Sequence, residues 1–171
     1  ARTPWLPFTA EAQYWTSSEK IASDFEYRRA RLSLGGDIAI RRTFTLVPQA
    51  SWGRQSGQAL PQAAFFLGGI HSLRSLEGGE RAGTGLALAK LDLLELPDLL
   101  EALHISHPAM LPLQAGAFVA SGAVWGADPY GGPTRPGTDW PNAQEFLHEA
   151  GVSLIYRPGI PDPSAFISFN W

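Results

Sequence analysis

The sequence contains no cysteine, and only 17% of its 171 residues are charged. The absence of cysteine excludes a disulfide scaffold and any metal site built from thiolates. The charged fraction is well below the roughly 25% that is typical of soluble domains. A net charge of −3 and a pI of about 5.8 argue against a nucleic-acid-binding protein. No run of 18 uninterrupted apolar residues occurs, so no transmembrane helix is predicted.

Glycine and proline are abundant instead, with 18 and 14 residues, and aromatic residues make up 11% of the chain. The aromatic content argues against a disordered chain. The pair Gly35 and Gly36 predicts a two-residue hairpin turn. Two other connections, residues 54–83 and 127–142, are long and rich in glycine and proline. The sequence therefore predicts both tight turns and long loops.

Apolar and polar residues alternate with a period of two along most of the chain, which predicts β-strands. The seven predicted strands are residues 5–16, 20–33, 37–52, 84–96, 107–126, 143–157 and 163–171. Soluble proteins use strands of about five or six residues. Longer strands with one apolar and one polar face indicate an all-β fold, an antiparallel transmembrane β-barrel. The alternative is a large soluble β-barrel or sandwich whose apolar face is its core.

The apolar face of such a barrel contacts lipid, while the polar face lines the lumen. The residues predicted to face lipid are Leu6, Phe8, Phe44, Leu46, Leu91, Leu93, Leu154 and Phe169. Bacterial single-chain barrels have an even number of strands, so seven strands predict a part of a larger barrel. Its remaining strands would come from the same polypeptide or from another chain. An eight-stranded barrel is the alternative, and it needs a further strand around residues 98–106.

Several segments resemble the bacterial surface-antigen family of outer-membrane barrels, which includes BamA, TamA, two-partner-secretion translocators and barrel-anchored patatin-like phospholipases. The segment FFLGGIHSLRSL at residues 65–76 is similar to the sixth extracellular loop of that family. AFVASGAVW, AGVSLIYRP and AFISF resemble the family strands that follow, in the same order. The loop motif of the family is Arg-Gly-aromatic, whereas Arg74 is followed here by Ser75 and Leu76.

The resemblance implies that residues 1–171 are the C-terminal portion of an outer-membrane barrel domain. It also implies that the long extracellular loop 54–83 folds toward the lumen. The loop motif is then Gly68, Gly69 and Arg74. A guanidinium buried in a narrow lumen needs a carboxylate partner, and Asp92 and Glu149 are the candidates.

The function that the resemblance implies is the insertion or translocation of proteins at the bacterial outer membrane. One alternative is a barrel that anchors or translocates a fused effector, such as a patatin-like phospholipase or a protease. Another is a soluble β-sheet binding protein. The expected partners are outer-membrane lipid and a client or fused protein, with no nucleic acid. The sequence has no nucleophile elbow, phosphate-binding loop or zinc helix, so it predicts no catalytic residue, cofactor or metal within this chain.

Overall fold

A computed structural model shows an all-β protein built on one large antiparallel sheet. The structure describes residues 8–18, 24–40, 44–69, 71–95, 104, 113–131, 140–156 and 167–170. Within these ranges the helical segments are two short 3₁₀ turns, Pro61–Ala63 and Ala143–Glu145. No helix in the described part of the chain has the length and apolar character needed to cross a membrane.

Ten strands make up the described fold. They are β1 (Phe8–Ser17), β2 (Tyr27–Gly36), β3 (Ile38–Ile40), β4 (Phe44–Gly57), β5 (Phe65–Leu67), β6 (Arg81–Gly83), β7 (Gly85–Glu95), β8 (Leu113–Trp125), β9 (Leu147–Tyr156) and β10 (Ile167–Asn170). The main sheet has the order β1-β2-β4-β7-β8-β9-β10, with β3 also paired to β4. β5 and β6 form a separate hairpin between β4 and β7.

The prediction of an all-β, antiparallel fold is confirmed, and each of the seven predicted strands overlaps a strand of the main sheet. Over the described residues the sheet is open, because β1 and β10 are its two edges and do not pair with each other. The further strand considered around residues 98–106 lies outside the described residues, His104 apart.

The hairpin predicted at Gly35 and Gly36 is wrong. Gly35 pairs with Gln49 and Ile38 pairs with Leu46 in one unbroken register, so β3 continues the line of β2 along β4. Neither glycine has the positive φ that the predicted turn requires. The same register places Pro48 opposite the break between the two strands, and proline has no N–H to donate to the ladder. The predicted strand 37–52 is therefore divided between β3 and β4.

Strand register divides the side chains of the sheet into two faces, because successive residues of a strand point to opposite sides. The side that we call the polar face carries Glu11, Arg31, Ser33, Gln49, Lys90, Asp92 and Glu149. The side that we call the apolar face has large exposed side chains, namely Phe8, Tyr14, Leu32, Leu34, Ile40, Phe44, Trp52, Leu91, Val119 and Val152.

The residues predicted to face lipid fall on the apolar face wherever their side chains are described. Phe8, Phe44 and Leu91 are exposed there, and the half-buried ones are Leu46, Leu93 and Leu154. Leu6 and the side chain of Phe169 lie outside the described residues. The buried cluster lies on the opposite side of the sheet, where Phe65, Leu67 and Leu73 pack against Leu86 and Ala120. The packed core of this protein therefore lies between its polar face and a loop.

Candidate functional site

The connection between β4 and β7, residues 58–69 and 71–84, lies across the polar face, and we call it the docked loop. Two glycines make room for its side chains. A Cβ on Gly53 would collide with the ring of Phe65. A Cβ on Gly122 would lie 2.8 Å from Cδ1 of Leu67 and 3.1 Å from Cδ1 of Leu88. The bare backbone at these positions thus lets the β5 hairpin approach the sheet closely.

Gly68 and Gly69, both predicted members of the loop motif, shape the tip of the docked loop. Their φ angles are +129° and +89°, a region that favours glycine. A side chain on Gly68 would also strike the carbonyl oxygen of Glu77. The Gly69 N–H donates to the carbonyl of Leu76 at 3.0 Å, and the Gly68 N–H donates to Ser72 Oγ at 3.1 Å. These bonds fold the tip so that it presents Arg74 to the sheet.

Arg74 meets both of its predicted carboxylate partners. Its Nη2 lies 2.5 Å from Oδ1 of Asp92 on β7. The two carboxylate oxygens of Glu149 on β9 accept the backbone N–H groups of Arg74 and Ser75, each at 2.9 Å. Hydrogen bonds to ionised acceptors are roughly twice as strong as neutral ones. The tip of the docked loop is therefore held by its side chain and by its backbone, through two different strands.

Two further residues that the sequence did not single out complete this cluster. The guanidinium carbon of Arg74 lies 4.0 Å from the ring centroid of Phe118, a cation–π contact. Lys90 is 7% exposed and lies on the same strand and face as Asp92. Two cations and two carboxylates thus share one site, which balances charges that would be costly to bury singly. In the sequence, Phe118 could have been recognised as a large residue between the small Gly116 and Ala120 on the same face of β8.

A cavity of about 490 Å³ lies beside the docked loop on the polar face. Its lining combines side chains of β1, β2 and β4, among them Glu11, Arg31 and Gln49, with His71 of the loop. Ser33 and Ser51 are 3.3 Å apart across its wall. Over the described residues no three His, Cys, Asp or Glu side chains are grouped so as to hold a metal ion. The described site binds a segment of its own chain, and the cavity leaves part of the polar face open.

No protein-family model matches this sequence, and no curated protein is significantly similar to it. The basis for a functional proposal is accordingly the geometry of the sheet and the docked loop.

Proposed function

We propose that this chain forms part of a transmembrane β-barrel of the BamA and TamA type in the bacterial outer membrane, where it inserts or translocates other proteins. The observation that carries the proposal is the difference between the two faces of the sheet. One face exposes large apolar side chains from β1 to β9. The other carries the ion pair of Arg74 and Asp92 and is covered in part by the docked loop. That distribution suits lipid outside and a polar lumen inside.

The height of the apolar face supports a membrane location. On β4 the apolar positions run from Phe44 to Trp52, about 27 Å along the strand and about 20 Å along the membrane normal at a tilt of about 40°. Tyr14, Trp52 and Trp125 lie on different strands but within two adjacent rows at one end of this face, as the residues of a barrel's aromatic girdle do. A soluble sandwich would cover this face with a second sheet, and no such sheet lies over it in the described residues.

The open edges of the sheet support the proposal that other strands complete the barrel. Among the described strands, β1 pairs on one side only along its ten residues. In hydrocarbon each unpaired backbone group costs several kcal/mol, so an open sheet would be unstable in a bilayer. We propose that strands from the same polypeptide or from another chain close the sheet. The polar face then becomes a lumen, with the docked loop inside it.

The role in insertion or translocation is supported by the loop resemblance and by the nature of the docking contacts. The tip of the docked loop is held by the ion pair of Arg74 and Asp92 and by backbone hydrogen bonds to Glu149. Such contacts can break and re-form when a client enters the lumen. When the strand that closes the sheet at β1 is a client's, β1 lends it backbone hydrogen bonds, as in other cases of β-augmentation.

The first test is fractionation of cells that express the protein in its natural context. We expect it in the outer-membrane fraction, with detergent required for its extraction. Recovery from the aqueous fraction without detergent would overturn the membrane proposal and favour the soluble β-sheet protein.

The second test addresses the insertion role, and it introduces single cysteines into residues 1–171, which contain none. Ala10→Cys in the edge strand β1 should cross-link to newly made barrel proteins. Ala117→Cys, on the same face of β8, should not, because β8 is paired on both sides. If the two variants cross-link equally, or neither does, β1 does not pair with client strands. An otherwise normal outer-membrane protein would then be assigned the anchoring role.

A further inference from the structure

A groove of about 270 Å³ interrupts the apolar face near its aromatic end. Its floor consists of small residues on adjacent strands, Ala50, Ala87, Ala89 and Ser121. Leu32, Leu34 and Trp52 line one side, and Trp140 and Phe146 line the other. Small residues occur elsewhere on the apolar face, but here bulky side chains flank them on both sides and form the walls of a groove.

The aromatic wall of the groove is held in place by stacking contacts. The ring centroids of Trp140 lie 5.5 Å from Trp125 and 6.4 Å from Phe146. Trp125 in turn covers Gly85, where any Cβ would collide with its indole. Trp140 is nevertheless 61% exposed. The wall is therefore fixed on its inner side and keeps a large apolar surface toward whatever surrounds the apolar face.

An arginine lies at the aromatic end of the groove. Arg54 is two residues along β4 from Trp52, on the same face and about 7 Å away, and its side chain is exposed. Arg28 lies on β2 one row further along, but it lines a separate cavity with Asp24 and Glu26. Arg54 lies one row nearer to Trp52 than Arg28 does, and it is the cation that we assign to the groove.

The backbone around the groove has no free strand edge to which a peptide could add. β2, β4, β7 and β8 are each paired on both sides, so none has a free edge for an added strand. The lining has two serines, Ser51 and Ser121, and the hydroxyl of Ser51 is paired with Ser33 on the polar face. A polar ligand would therefore lose hydrogen bonds to water on entering. A hydrocarbon chain needs no hydrogen bonds, and it would meet apolar surface on three sides.

We propose that this groove holds one acyl chain of an anionic membrane lipid, whose headgroup is bound by Arg54. The inference rests on the proposed membrane location, because the groove opens onto the apolar face that we assign to lipid. It adds that one lipid occupies a fixed place on the protein, whereas the rest of the bilayer around the apolar face exchanges freely.

The test compares two Ala→Phe variants on the apolar face. Ala89 and Ala117 are both exposed there, but only Ala89 lines the groove. The full-length protein, purified in detergent with added phosphatidylglycerol, is examined by native mass spectrometry for retained lipid. We expect one retained lipid in the wild type and in Ala117→Phe, and its loss in Ala89→Phe. Equal retention in both variants would overturn the proposed position.

The headgroup assignment is tested by Arg54→Gln, a change at an exposed position that leaves the groove intact. We expect the wild type to retain phosphatidylglycerol in preference to phosphatidylcholine and the variant to lose that preference. An unchanged preference would exclude Arg54. A protein that enters the membrane normally but retains no lipid would refute this inference alone, whereas a protein that needs no detergent would refute the membrane proposal itself.

Discussion

The two faces of the main sheet differ in the kind of contact that their side chains can make. The polar face has glycines where a protein segment must come close, at Gly53 under Phe65 and at Gly122 under Leu67. It has carboxylates where that segment is held, at Asp92 and Glu149. The apolar face has neither charges nor loop-sized openings along most of its length, and large side chains stand out from it. One face binds a particular loop, whereas the other exposes apolar side chains, as the proposed contact with lipid requires.

The comparison implies that a single substitution should act very differently on the two faces. The polar face depends on a small number of specific contacts, so losing one partner is costly. The apolar face depends on its overall hydrophobicity. Exchanging one apolar residue for another should therefore be tolerated, whereas introducing a charge should not.

Removing the carboxylate at the centre of the polar face should have the largest effect. Asp92→Asn leaves Arg74 and Lys90 in a buried site with one carboxylate fewer. Losing one partner of a buried ion pair costs about 3–5 kcal/mol. We expect the docking free energy of the loop to fall by about 3 kcal/mol. Hydrogen exchange of the Arg74 and Ser75 amides measures it directly, since both amides donate to Glu149.

Glu11→Gln is the matched control for this change. Glu11 is also an acidic residue of the polar face, but it is exposed and lies on the far side of the cavity, on β1. We expect no change in the exchange of the Arg74 and Ser75 amides. If both variants accelerate exchange equally, the Arg74–Asp92 ion pair is not what holds the loop.

Introducing an arginine on the apolar face should have the next largest effect. Leu34 is 48% exposed on the apolar face, and Leu34→Arg would place a charge in the proposed lipid contact. Near the bilayer midplane this costs about 2–4 kcal/mol. Ser33→Arg, one residue away, points into the polar cavity opposite Glu11 and should cost little. The free energy of unfolding in lipid vesicles tells the two apart, and equal costs would contradict a lipid-facing apolar face.

The all-β fold and its two faces could be predicted because alternation with a period of two is a local signal. The alternation predicts the two faces correctly even where the predicted strand boundaries are wrong, as at Gly35 and Gly36. That error came from treating a glycine pair as a turn, when the strand register and the missing N–H of Pro48 explain the break. Local sequence cannot show which strand lies opposite which.

The candidate site was predicted in part, for a related reason. Arg74, Asp92 and Glu149 are far apart in sequence. Only the family resemblance suggested that the two carboxylates are partners of the arginine. The resemblance could not indicate Phe118 under the guanidinium or Gly53 under Phe65. Those contacts depend on the path of the docked loop across the sheet, which no local pattern encodes.

Filling the space under the docked loop should have a smaller effect than removing its charges. Gly53→Ala puts a methyl group where the ring of Phe65 lies, and overpacking of this kind costs about 1–3 kcal/mol. Gly35→Ala is the control, because its Cβ would meet nothing closer than 3.8 Å. We expect that change to be neutral or to stabilise by up to about 1 kcal/mol. Thermal unfolding compares the two, and equal shifts would mean that the loop does not need the bare backbone of Gly53.

The smallest effect is expected at Arg29, which joins the docked loop to the edge strand. Its guanidinium carbon lies 4.4 Å from the ring centroid of Phe65 and 5.0 Å from that of Trp15 on β1. Arg29→Lys keeps the charge but loses the planar group that stacks between two rings. Cation–π contacts are worth about 0.5–1 kcal/mol at exposed sites, so we expect a loss of about that size in the free energy of unfolding.

Arg31→Lys, two residues along the same strand and face, is the matched control for Arg29→Lys. Arg31 lines the polar cavity, and we expect its replacement by lysine to cost less. The Arg29→Lys variant also tests whether the edge strand β1 and the docked loop are energetically coupled. If the stack couples them, Trp15→Leu and Phe65→Leu should be non-additive in the presence of Arg29 and additive in the Arg29→Lys background. Additivity in both backgrounds would mean that the edge strand and the docked loop are stabilised independently, and that a client pairing with β1 could not release the loop through this contact.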